Sequence, residues 1–281
     1  MIAGAACGAR TSIPFEDAHA TPDAGPDGSL PDCAEQGVTY IYVVTSEEEL
    51  LSFDPALSAF SPIGMLDCPA PLGYPNSMAV DRKGKAYVLF VPEGNLFEVS
   101  TATAHCKPTP FVPSQQGFTR FGMGFATDEG GRAETLYVAE SHYDAAAPSK
   151  GLGVVDTATF ELAFVAPFSE PLGQAVELTG NGEGHLFGFF IDTTGSANPL
   201  SHVAEIDKAN GVLTNDVLLD LGAGVTSFAF AFWGGDFYLF HAEQQSATTV
   251  SRYDPTDGTL VEVASLATHV VGVGVSTCAP Q

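Results

Sequence analysis

Positive charge is what this chain has least of: 10 Lys and Arg stand against 34 Asp and Glu, a formal net charge of −24. That sign repels phosphate backbones and anionic lipid surfaces, so nucleic acid is excluded as a partner and membrane contact is left to a lipid anchor. The chain also lacks any apolar run of the roughly 18 residues that a membrane-spanning helix needs. It contains no Gly-x-Ser-x-Gly nucleophile elbow, no Gly-x-x-x-x-Gly-Lys phosphate loop and no His-Glu-x-x-His pair. The commonest signatures of hydrolytic and nucleotide chemistry are therefore missing. Helical periodicity is absent as well.

What is present is core material. The 281 residues are 45% hydrophobic and include 30 Gly, 19 Pro and 20 Phe. From residue 38 onward, short runs of Val, Phe, Tyr, Leu and Ala are bounded by Gly, Pro, Asp and Asn, which is an all-β pattern. Two glycine-rich stretches, Gly180-Asn-Gly-Glu-Gly184 and Trp233-Gly-Gly-Asp236, read as hairpin turns.

The strongest signal is a repeat. A paired apolar-aromatic step occurs at Ile41-Tyr42, Ala86-Tyr87, Leu136-Tyr137, Leu186-Phe187 and Phe237-Tyr238, the successive aromatics being spaced by 45, 50, 50 and 51 positions. Each is followed by an apolar residue, a short polar residue and a turn: Phe53-Asp54-Pro55, Val99-Ser100-Thr101, Val155-Asp156-Thr157, Ile206-Asp207-Lys208 and Tyr253-Asp254-Pro255. Asp or Ser there can accept a bond from the backbone two residues on and start a tight turn. A third element precedes four of the steps, at Ser77–Val80, Gly122–Phe125, Gln174–Val176 and Phe228–Phe230, and the missing copy lies at the far end of the chain, at His269–Thr277. Letting the tail supply the innermost strand of the first sheet closes a radial array without loose ends.

The expected fold is thus a five-bladed β-propeller of four-stranded blades, closed by pairing of the C-terminal strand with the N-terminal blade, with a six-bladed ring as the alternative. The expected strands are 76–81/85–91/94–99/106–113, 119–127/133–140/151–157/160–167, 172–179/184–191/202–207/211–219, 225–232/236–242/248–254/259–266, and 269–277 joined to 38–45/49–54/58–66. Across residues 38–278 this motif order resembles NHL-type and related β-propellers, a likeness that implies the architecture and leaves the activity open. The aromatic steps Tyr42, Tyr87, Tyr137, Phe187 and Tyr238 are expected to pack between blades rather than to form a sugar-stacking platform.

The organisation before the propeller points to export. Residues 1–7, ending Gly4-Ala-Ala-Cys7, resemble the end of a bacterial lipoprotein signal, which implies lipidation of Cys7; the stretch is too short for a whole signal, so a longer reading frame is expected. Residues 8–37 are rich in Pro, Gly and Asp and read as a disordered tether before the domain at 38–281. Asp23, Asp27 and Asp32 are solvated tether charges. With Cys7 set aside, four cysteines remain, an even number that suits an oxidising compartment. In the blade arrangement Cys278 ends the closing strand and Cys33 lies shortly before the strand beside it, so these two are expected to pair and to contribute about 4–5 kcal/mol. Cys68 and Cys106 then pair by elimination. No Cys-x-x-Cys pair supports zinc instead.

Candidate chemistry is sparse. One acidic residue follows the second strand of every blade: Glu47, Glu93, Glu140, Asp192 and Glu243. Converging on a channel mouth, these carboxylates could hold a hard cation such as Ca²⁺; scattered, they are ordinary loop acids. Two long loops, at 140–150 and 192–202, bring His142, Tyr143, Asp144 and His202 toward the same rim, with His241 from the next blade. The functional expectation is an envelope-anchored or secreted binding or scaffold propeller that uses this rim for a protein, a glycan or a small molecule. Its alternatives are a Ca²⁺-dependent hydrolase of lactonase or esterase type, and a glycosidase with two opposed carboxylates.

Overall fold

The computed structural model describes Cys33 and residues 40–131, 133–142, 148–192, 200–222, 225–244 and 246–281. Cys7, Tyr143, Asp144 and the tether other than Cys33 lie outside the described residues. Twenty strands form five separate four-stranded antiparallel sheets. The first blade holds β4 (Tyr74–Val80), β5 (Lys85–Val91), β6 (Asn95–Ser100) and β7 (Cys106–Pro108) from the inside outward. The second holds β8 (Phe121–Thr127), β9 (Glu134–Glu140), β10 (Leu152–Val155) and β11 (Leu162–Ala166). The third holds β12 (Ala175–Gly180), β13 (Leu186–Asp192), β14 (Leu200–Ile206) and β15 (Leu213–Leu219). The fourth holds β16 (Val225–Trp233), β17 (Asp236–Glu243), β18 (Thr248–Asp254) and β19 (Thr259–Leu266). The closing blade takes its inner strand β20 (Val270–Val275) from the chain end and β1 (Ile41–Thr45), β2 (Glu49–Asp54) and β3 (Ala59–Met65) from its beginning.

The closure has a fixed register: Ile41 opposes Val275, Val43 opposes Val273 and Val44 opposes Gly272. Each inner strand neighbours the next, β20 to β4 to β8 to β12 to β16 and back to β20, so the chain is a five-bladed propeller and the six-bladed alternative falls. The fourth strand of the first blade is shorter than the expected 106–113, stopping at Pro108. Pro108, Pro110 and Pro113 follow in quick succession and cannot donate to a ladder.

The repeat elements do the jobs their chemistry implies. The Asp54, Asp156, Asp207 and Asp254 carboxylates and the Ser100 hydroxyl each accept a bond from the backbone N–H two residues on, at 2.7–3.3 Å. Asn181 organises the 180–184 turn by accepting from the N–H groups of Glu183 and His185. Each apolar cluster lies between two adjacent blades, and each aromatic step faces the following blade. Tyr87 meets Phe125 of the second blade at 5.6 Å between ring centroids, and Phe187 meets Phe237 of the fourth at 4.9 Å.

The inner strands are crowded, and glycine is what lets them approach. A Cβ added at Gly122 would lie 2.6 Å from the Cα of Glu177, and one at Gly274 would lie 2.9 Å from the Val80 nitrogen. Both obstacles are backbone of the neighbouring inner strand. Both expected disulfides are present. Cys33–Cys278 fastens the region before β1 to the end of β20, with 5.3 Å between Cα atoms, and Cys68–Cys106 joins the connection after β3 to the outer strand of the first blade at 4.8 Å.

Candidate functional site

Inner strands have one backbone edge facing the propeller axis, where no further strand can pair with it. Glu177, on β12, is the side chain that answers this. It is 5% exposed, on a strand whose residues are all buried. Its carboxyl accepts a 2.7 Å bond from the Ser77 hydroxyl of β4 and another from the backbone N–H of Met123 on β8. One acid of the third blade thus ties together the inner strands of the first and second. Burial pushes its pKa well above the usual carboxylate range, and its two hydrogen bonds and the nearby Arg120 guanidinium offset only part of that rise.

Above Glu177 opens a cavity of about 200 Å³. Its walls come from all five blades: Tyr74 and Asn76 of the first, Arg120 and Ser141 of the second, Glu177 of the third, Thr226, Ser227 and Phe228 of the fourth, and His269 and Val271 of the closing blade. Antiparallel pairing explains the gathering, because the starts of β4, β16 and β20 and the end of β9 all lie at one end of the ring. Several lining groups are already fixed: Ser141 Oγ accepts from the Val176 N–H at 3.0 Å, and His269 Nε2 bonds the Ser246 carbonyl at 2.8 Å. The opposite end of the ring is held by Glu134, which accepts from the Arg82 backbone N–H at 2.6 Å and from the Thr277 hydroxyl at 2.7 Å.

Replacing Glu177 by Gln is expected to remove a pH dependence. A carboxyl whose pKa is raised on folding contributes its full stability below its unfolded value, near 4.5, and loses it as pH climbs through the folded value. The wild type therefore weakens relative to Glu177→Gln from about pH 5 upward. Chemical denaturation of both proteins from pH 4 to 9 checks this. Parallel curves would show that Glu177 titrates alike in both states.

The rim residues expected from sequence do not share this cavity. Glu47, Glu93 and Glu243 are exposed, and Glu140 and Asp192 are half-buried at the ends of β9 and β13. Among the described residues, no three His, Cys, Asp or Glu side chains gather as a metal-holding group. Glu140 accepts from the Lys150 N–H at 2.9 Å and lies 3.8 Å from His142 Nε2. His202 bonds Asp216 at 2.9 Å within the third blade, and His241 bonds Ser251 at 3.0 Å within the fourth, its pKa lowered by burial. His142 stays beside the axial mouth, where its backbone N–H donates to the Gln174 carbonyl at 3.0 Å. A glycosidase needs two facing carboxylates; among the described residues lining the cavity, Glu177 is the one carboxylate. Sequence reasoning missed Glu177. Its signal was a lone acid inside the otherwise uncharged run Gln174-Ala-Val-Glu-Leu-Thr-Gly180, since unpaired acids avoid the interior.

No protein-family model matches the sequence, and no curated protein matches it. Solved structures align with it only at low similarity. A chain of the nidogen/laminin complex aligns over 85% of this chain and 99% of its own length, with 12% identity and a TM-score of 0.48. Virginiamycin B lyase from Staphylococcus aureus, solved with quinupristin, aligns over 82% of this chain and 71% of its own, with 12% identity and a TM-score of 0.44. Kuenenia stuttgartiensis hydrazine synthase aligns over 83% of this chain at 15% identity and a TM-score of 0.42; this chain spans 64% of that one. What makes the chain a propeller is its own ring of five sheets.

Proposed function

We propose that the protein is a non-enzymatic binding propeller of the cell envelope, tethered through Cys7, that takes a small polar ligand in its axial cavity. The observation that carries this is the lining: five blades each contribute groups to one cup floored by a buried carboxyl. Hydroxyls, the Asn76 amide and the Arg120 guanidinium around a buried floor complement a ligand bearing hydroxyl or carboxylate groups. The two disulfides support the export half, because such bonds persist in oxidising compartments. No helix among the described residues is long and apolar enough to cross a membrane. The lipid anchor rests on the resemblance of residues 1–7 to lipoprotein signals.

Thermal unfolding of the intact chain in the presence of glucose, glycine or succinate tests the cavity. A ligand at one hundred times its Kd raises stability by about 2.7 kcal/mol. At least one probe is expected to raise the midpoint, and Arg120→Gln or Asn76→Ala is expected to abolish the rise. A midpoint that none of the three probes moves, or a rise that survives both substitutions, removes the cavity as the binding site.

A further inference from the structure

One of the five blade junctions has a second-strand aromatic without a hydroxyl. Four of the second-strand aromatics are tyrosines whose hydroxyls are hydrogen-bonded: Tyr42 to Thr101, Tyr87 to Thr157, Tyr137 to Thr135 and Tyr238 to Arg252. Thr101 and Thr157 directly follow the turn residues Ser100 and Asp156 of the next blade. At the junction of the third and fourth blades both positions are apolar: the aromatic is Phe187 and the residue after Asp254 is Pro255. A cleft of about 350 Å³ opens there, lined by Phe187, Phe232, Phe237 and Tyr253, with Glu205 and Asn215 among its other walls. Phe187 and Phe232 are half-buried, so their rings are reachable from solvent.

The cleft carries one sign of charge. Its lining includes Glu205 and no Lys or Arg. The carboxylate is held in place from both sides, by His185 Nδ1 at 2.6 Å on Oε1 and by the Asn215 amide at 2.9 Å on Oε2. A fixed carboxylate beside several π-faces is the complement of a cation with an apolar shell, because the aromatic quadrupole and the carboxylate attract it together while the methyl groups desolvate readily. The net charge of −24 draws cations toward the molecule.

We propose that this cleft binds the head of a small organic cation, a quaternary or methylated ammonium, with Phe187, Phe232 and Tyr253 against its methyl groups and Glu205 as its counter-charge. The site is separate from the axial cavity and does not depend on it.

Titration calorimetry of the intact chain with choline at pH 8 tests the assignment. Its comparator is 3,3-dimethylbutan-1-ol, which has the same shape without the charge. Choline is expected to bind, and the neutral analogue to bind about tenfold or more weakly. Glu205→Gln is expected to weaken choline binding about tenfold, and Phe232→Leu, which keeps bulk but removes a π-face, to weaken it in the same direction. Should Phe232→Leu fail to fold, Glu205→Gln and the neutral analogue still decide the matter. Absence of choline binding at concentrations on the order of 50 mM overturns the proposal. Equal binding of the two compounds, or choline binding unchanged in Glu205→Gln, overturns it as well.

Discussion

Exchanging Cys33 and Cys278 together for serine is expected to lower the stability of the propeller by about 5 kcal/mol, the largest effect of any change considered for this chain. The bond closes a loop of 245 residues, and loop-closure entropy removed from the unfolded chain grows with the logarithm of that length. The Cys68–Cys106 bond closes only 38 residues, and exchanging both cysteines is expected to cost about 4 kcal/mol. Against a typical total of about 5–15 kcal/mol, either loss is severe. The Cys33–Cys278 pair also sits where an ordinary blade has a covalent hairpin, since β20 and β1 come from opposite ends of the chain. Its loss is therefore expected to be local as well as global. Amide exchange at Val43 and Val273, in the closing blade, should accelerate more than at Phe189 in the third. Denaturant midpoints in the oxidised wild type and the double variant measure the first effect. Identical midpoints would mean that the ladder alone holds the ring.

The second large effect is expected at Gly122. Valine there would put its Cβ within 2.6 Å of the Glu177 Cα and against the Val176 carbonyl, both in the backbone of β12. Flexible side chains can yield to an added methyl; a neighbouring inner strand cannot move without shifting its whole blade. The same displacement would pull Glu177 from Ser77 and Met123, so the strain reaches the axial cavity. A loss of about 3 kcal/mol or more is expected, which is a fall of roughly 6–12 °C in Tm for a chain of this size. Gly234→Ala is the control. A Cβ at Gly234 meets nothing within 4 Å, and only its φ of 63° opposes the change, for about 1 kcal/mol. If the two substitutions cost the same, crowding of the inner strands is not what glycine relieves at position 122.

Much of the architecture was legible before any coordinates. Strands repeat with a chemistry of their own: an aromatic that faces the next blade, a turn acid that captures the N–H two residues on, and an inner strand of small or apolar residues. These are local requirements, so each blade had to state them again. The closure and the Cys33–Cys278 pair followed from a count, since the N-terminal repeat lacked an inner strand and the tail held a spare one. The outer strand of the first blade was drawn too long because apolar residues at 111 and 112 continued the pattern while the prolines around them removed its donors.

The sites were less legible, for a reason of geometry. Loop acids such as Glu47, Glu93 and Glu243 recur at one place per blade, yet they are exposed and not gathered by the fold. The residues that do meet at the axis come from positions with no common spacing: Asn76, Arg120, Glu177, Ser227 and His269. Their nearness exists only once the ring is shut, because the axis is where distant repeats converge. The amino-acid sequence by itself determined the blade, the number of blades and the order in which the chain ends join. The tertiary structure alone decided that a buried acid from the third blade would reach the first, and that one junction would be left open, since both depend on contacts between segments that periodicity along the chain does not relate.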